Sequence, residues 1–352
     1  MKKRESGFGN SLRLMRGRTL FNILLLVFFS TQSSILVFSG SSPRVSALVR
    51  TLNFSYAFTV ESLPKDARNV NVFVPLPQSD RQQRIEDLII ESRYPYRVEK
   101  EKEYGNSILR IEIPANEAGE VVTKISFKAQ RSGYTQLDAK KLWKEPLTPE
   151  ARARFLAPDR LVPIDGKIQE LTAQVVKKNL PDLEKARMIY DHITSTMKYD
   201  KTGSGWGNGD AIYACDVRKG NCTDFHSLFI AMARASGIPA RFVIGFSIPE
   251  KTTHGAIEGY HCWAEFYTDD YGWIPVDATE AVKHPEKKEF FFGGLDEHRV
   301  QFSVGRDIRL ENIVLSEPIN YFIYPYVLVD GKPFHGVKRA ITFSELGSLD
   351  GK

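Results

Sequence analysis

Cys222 lies in the run GNCTDFHSLFIAMARASGIPARF, and its surroundings suit a thiol that reacts. Phe225, Leu228, Phe229 and Met232 follow at the spacing of one apolar helix face. Gly237 and Pro239 then close the pattern. Cys222 is therefore expected in the first turn of a buried helix. Unpaired backbone N–H groups and the helix dipole favour negative charge there, which lowers a thiol pKa and makes a nucleophile at neutral pH. A nucleophile needs a base, and the base needs an orienting group. GYHCWAEFYTDDYGWIPVDATEA offers both. Alternation puts His261, Trp263, Glu265 and Tyr267 on one strand face and Cys262, Ala264 and Phe266 on the other. With Thr268, Asp269 and Asp270 as the hairpin loop, His261 faces Asp277 across the pair. A shift of two residues leaves Asp277 diagonal to His261 on the same face. Either way the carboxylate can hold the imidazole in one tautomer. The approach of Cys222 to His261 is a tertiary contact that local pattern does not dictate.

The elements that must carry these residues are also visible. In PDLEKARMIYDHITSTMKYD, residues Ala186, Ile189, Tyr190, Ile193 and Met197 make a core-facing helical stripe. Residues 47–131 read as all-β: Leu52 to Val60, Val70 to Val74, Leu109 to Ile113 and Val121 to Phe127 alternate, with polar connections between. They predict a small antiparallel sandwich. Residues 132–165 form a Pro-containing connector, residues 166–300 hold the catalytic core, and residues 301–352 are expected to extend that core with further β structure.

The three blocks around Cys222, His261 and Asp277 resemble the transglutaminase-like superfamily, papain-like cysteine enzymes with a Cys–His–Asp triad in this chain order. The resemblance spans roughly residues 165–300. It implies an α+β fold, with a papain-like core preceded by the β-sandwich. It also implies Cys222 as nucleophile, His261 as general acid/base and Asp277 as orienting carboxylate. An upstream tryptophan indole serves the oxyanion in related transglutaminases, which makes Trp206 in GSGWGNGD a candidate beside the backbone N–H of Cys222. Asp224 reads as a first-turn acid, and His226 as a surface or structural residue.

Other chemistries fit less well. A zinc site from Cys215, Cys222, His261 and Cys262 lacks paired Cys-x-x-Cys spacing, and neighbouring strand residues point to opposite faces. No calcium-loop signature is present, so no cofactor or metal is expected. With three cysteines in 352 residues the fold is not built on disulfides, although Cys215 and Cys262 could pair in an oxidising compartment.

The first 18 residues are basic, and Leu20–Phe29 is a ten-residue apolar run. This matches a secretory leader over residues 1–40, or a short signal anchor continued through Ile35–Phe38. The protein is therefore expected to be exported, periplasmic or extracellular, with membrane contact only through that segment. Six basic side chains and one acid in residues 1–40 give the same +5 as the whole chain. The remainder is near neutral, which excludes a nucleic-acid footprint.

The function these residues predict is thiol-dependent acyl transfer on an amide or peptide bond through a Cys222 thioester, ending in hydrolysis or transamidation. The expected partner is a protein, peptide or cell-envelope amide substrate. Protein-glutamine cross-linking, a catalytically idle scaffold of the cell envelope and a coenzyme-A-dependent acetyltransferase are the alternatives.

Overall fold

The computed structural model describes residues 48–114, 120–139 and 146–347. The expected leader lies outside the described residues. The fold is α+β, with antiparallel sheets and a helical layer.

In Val49–Val60, alternation sends Leu52, Phe54, Tyr56, Phe58 and Val60 inward. This strand sits in the middle of a five-stranded sheet, between Val121–Ser132 and Val337–Glu345. The second five-stranded sheet centres on Val70–Leu76, which is buried along its whole length. Val70, Val72 and Val74 pack toward the first sheet, while Phe73 packs with Ile308, Leu310 and Phe322. Gln83–Ser92 and Tyr96–Lys100 are edge strands where the sequence suggested polar connections. Edge strands exposed on both faces carry no period-two apolar signal, so alternation could not reveal them.

The C-terminal segment departs from expectation. Instead of extending the catalytic core, Val337–Glu345 pairs with Val49–Val60, and Tyr326–Val329 pairs with Val70–Leu76. Both sandwich sheets thus take strands from opposite ends of the described chain. A short strand of the core region, His254–Ala256, also joins the first sheet. The apolar interior is continuous: Phe54 lies 5.8 Å from both Phe246 and Phe302, centroid to centroid. Burying such a ring is worth about 1.5–3 kcal/mol.

The core proper is a four-stranded antiparallel sheet in the order Gly272–Val276, Tyr260–Thr268, Ala240–Ser247, Arg299–Val304. The Cys222–Ala235 helix packs against it and is buried from Cys222 to Arg234. The Asp182–Thr196 helix presents Ala186, Ile189, Tyr190 and Ile193 to the interior, as its stripe predicts. No helix among the described residues is long and apolar enough to cross a membrane.

Candidate active site

The helix that opens at Cys222 is started by a capping box. Asn221 accepts from the Thr223 N–H at 2.9 Å, and Asp224 accepts from the Asn221 N–H at 2.9 Å. Asp224 does more than meet the dipole. It also accepts from Gly207 N at 2.8 Å and Gly209 N at 3.1 Å, which fastens the Gly-rich loop to the helix start. Gly203, Gly205, Gly207 and Gly209 all take positive φ in that loop, a region other residues avoid. The Tyr260 hydroxyl, one residue before His261, meets Asn221 Nδ2 at 3.1 Å and Thr223 Oγ1 at 3.0 Å. Tyr321 lies 3.3 Å from Tyr260, hydroxyl to hydroxyl, and donates to Gly207 O. Loop, helix and strand are thereby locked around the thiol.

The hairpin loop is Asp269–Tyr271, and Thr268 pairs with Gly272. The register is therefore two residues off the directly opposed arrangement, which is the diagonal case. Asp277 follows the Gly272–Val276 strand as the N-cap of the Ala278–Lys283 helix, with Oδ1 accepting from Glu280 N at 3.0 Å. Its Oδ2 lies 2.7 Å from His261 Nε2. His261 also hydrogen-bonds the Cys222 thiol. Sulfur, imidazole and carboxylate therefore meet, although the elements bearing them are far apart in sequence.

Their charges are mutually set. The Cys222 thiol is held well below its ordinary range by a hydrogen bond from Cys262, against the opposing effect of burial, with further help from His261. Burial would depress His261, but the Asp277 carboxylate overrides it and pushes the imidazole up to about 10. Asp277 stays well below the usual carboxylate range despite burial, because His261 and Arg299 face it. Cys262 is driven up by burial and remains a thiol. These shifts favour the thiolate and imidazolium forms of the pair.

Two contributors were not legible as such. Arg299, 2% exposed, donates from Nη1 to Asp277 Oδ2 at 2.9 Å and from Nε and Nη2 to Asp296. Its only signal was a cation opening the apolar strand Arg299–Val304. Cys262 entered the sequence reading as a zinc or disulfide candidate, but here its thiol touches Cys222. All three cysteines are free, and Cys215 lies on the Ala211–Val217 helix. His226 takes a structural place: fully buried, it accepts from the Ala278 N–H at 3.1 Å.

Trp206 is turned away from the oxyanion role. Its indole N–H donates to Gly203 O within its own loop at 3.1 Å. Trp206→Phe is therefore expected to change acylation by p-nitrophenyl acetate by less than about threefold, whereas removing an oxyanion donor costs about 10²–10³. Stopped-flow release of p-nitrophenol measures this directly.

A buried thiol at a helix start, beside an imidazole that a buried carboxylate holds, is the arrangement that the sequence resemblance implies. Residues 169–278 match the family model described as Transglutaminase-like superfamily. An uncharacterized protein of Haemophilus influenzae is 34% identical over 203 residues, covering 49% of this chain and 55% of its own. A Pseudomonas aeruginosa protein-glutamine gamma-glutamyltransferase is 28% identical over 174 residues, covering 47% of this chain and 24% of its own. The chain thus spans about half or less of these relatives' lengths. A solved structure from Cytophaga hutchinsonii, provisionally designated a cysteine protease, superposes with a TM-score of 0.58 at 19% identity, covering 86% of this chain and 92% of that one. It shares the fold.

Proposed function

We propose that the protein is a thiol-dependent acyl-transfer enzyme acting on amide or peptide bonds. The observation that carries this reading is the contact of His261 with both the Cys222 thiol and Asp277. Cys222 attacks the carbonyl carbon. The oxyanion is stabilised by the N–H of Cys222 at the helix start. His261 gives its proton to the departing amine, leaving a thioester, and then takes a proton from the second nucleophile as that nucleophile releases the acyl group. Water as that nucleophile makes the enzyme a peptidase or amidase, and a lysine amine makes it a transglutaminase. The name of the Pseudomonas relative supports transamidation as the second reading. The basic and apolar N-terminal segment supports an exported protein whose substrate lies in the periplasm or cell envelope.

Iodoacetamide modification, mapped by mass spectrometry, tests the mechanism. Cys222 is expected to react at a rate nearly constant from pH 7 to 9, because it is already a thiolate. An ordinary thiol would gain reactivity through about 8.5. Turnover should fall as pH rises through about 10, where His261 loses the proton it must donate. In His261→Ala the labelling at pH 7 should drop by about 100-fold. Slow labelling indifferent to the histidine would reject the enzyme and favour a scaffold.

A further inference from the structure

Arg131 stands where an apolar residue belongs. It continues the inward series Val121, Thr123, Ile125, Phe127 and Ala129 at the end of its strand, and its side chain is 2% exposed. The register sets it beside Arg50 on one neighbouring strand and Gln83 on the other. Arg50 shows how this interior satisfies a guanidinium: it donates to Glu345, Pro249 O and Thr252 O. Arg299 and Arg306 are likewise bonded through their guanidinium groups. Arg131 differs, since its Nε and Nη1 have no hydrogen-bond partner. The Asp80 carboxylate stands 3.9 Å from Nη1, beyond hydrogen-bond range. Burying such donors unbonded is costly.

Arg131 lines a cavity of about 640 Å³ between the sandwich and the catalytic sheet. Tyr104, Tyr134 and Trp273 supply flat walls. Arg241 in the same wall is already engaged: it holds Glu265 through Nε and Nη2 at 2.7 and 2.6 Å and lies 4.1 Å from the Trp273 ring centroid. Glu265 shares the strand face of His261, four residues on, which is about 13 Å away. Trp263, fully buried, lies between them. The cavity is therefore separate from the site of the thiol.

We propose that this cavity binds a monoanionic carboxylate ligand, with Arg131 as its anchor. A guanidinium matches a planar carboxylate in shape and charge. Asp80 and Glu265 in the walls disfavour a doubly charged phosphate, and the aromatic walls suit an organic body beside the charged group.

The test uses the full chain with N-acetylglycine as probe, N-acetylglycinamide as its neutral counterpart, and inorganic phosphate. Melting temperature and tryptophan fluorescence are followed, so the result does not depend on whether Cys222 turns over a substrate. N-acetylglycine should raise the melting temperature saturably. The neutral amide should have no effect, and phosphate a weaker one. Arg131→Met should abolish the response while the unliganded protein melts no lower than wild type. Arg131→Lys should bind at least about tenfold more weakly, since it lacks the planar donor pair. The proposal is overturned by a wild type without a saturable response, by a stronger response to phosphate, or by variants that bind as wild type does. It is also overturned if both variants fail to fold, which would make Arg131 a structural partner of Asp80.

Discussion

Asp277→Asn is expected to slow acylation at pH 7 by about 10³–10⁴ while leaving the fold intact. The carboxylate works with two faces. Oδ1 accepts from Glu280 N and the Thr279 hydroxyl at the start of the next helix, and an asparagine oxygen can do the same. Oδ2 accepts from His261 and Arg299 together, and an amide cannot serve both these donors and the cap. Arg299 keeps Asp296, so no cation is stranded in the interior. The loss therefore falls on His261, whose imidazole returns toward its ordinary range and no longer sustains the thiolate. Release of p-nitrophenol from its acetate ester measures the change, and a melting curve checks the fold. A loss smaller than about tenfold would remove Asp277 from the mechanism.

The second large effect is on stability. Gly245 pairs with His261 on one side and with Gln301 on the other, at an irregularity in the strand register. A Cβ there would sit 1.9 Å from Val300 O and 2.9 Å from Gln301 Cα. These are backbone atoms, so no side-chain rotation relieves the clash. The strands must separate, carrying His261 and Arg299 apart. Gly245→Ala is expected to cost about 3–5 kcal/mol. It should also slow Cys222 alkylation even in the fraction that stays folded. Gly259 has open space around its Cβ position, so Gly259→Ala serves as the neutral control. Urea unfolding midpoints decide the matter: equal midpoints for the two variants would contradict the strand spacing.

Local physics made much of this site readable. The apolar stripe after Cys222, its breaker Gly237 and the alternation through His261 each depend on neighbours within one element. Asp277 was readable only up to a slip of two residues, because a hairpin's register depends on which residues enter its loop. Arg299 was hidden for a different reason. A cation at a strand start looks like solvent-facing charge until the fold delivers two carboxylates to it. Trp206 shows the converse: the residue type fitted a role that the loop's own carbonyl has taken. The destination of Val337–Glu345 was beyond reach, since nothing in an alternating strand names its partner.

That last strand has a consequence for how the molecule is made. Val49–Val60 is made early among the described residues, yet one of its hydrogen-bonding sides waits for a segment produced nearly three hundred residues later. Sheet closure is thus deferred until that segment emerges, and an unpaired edge stays open meanwhile. Such a chain depends on being kept from premature association while it is incomplete. Nascent fragments that stop short of Val337 should be the ones that chaperones hold.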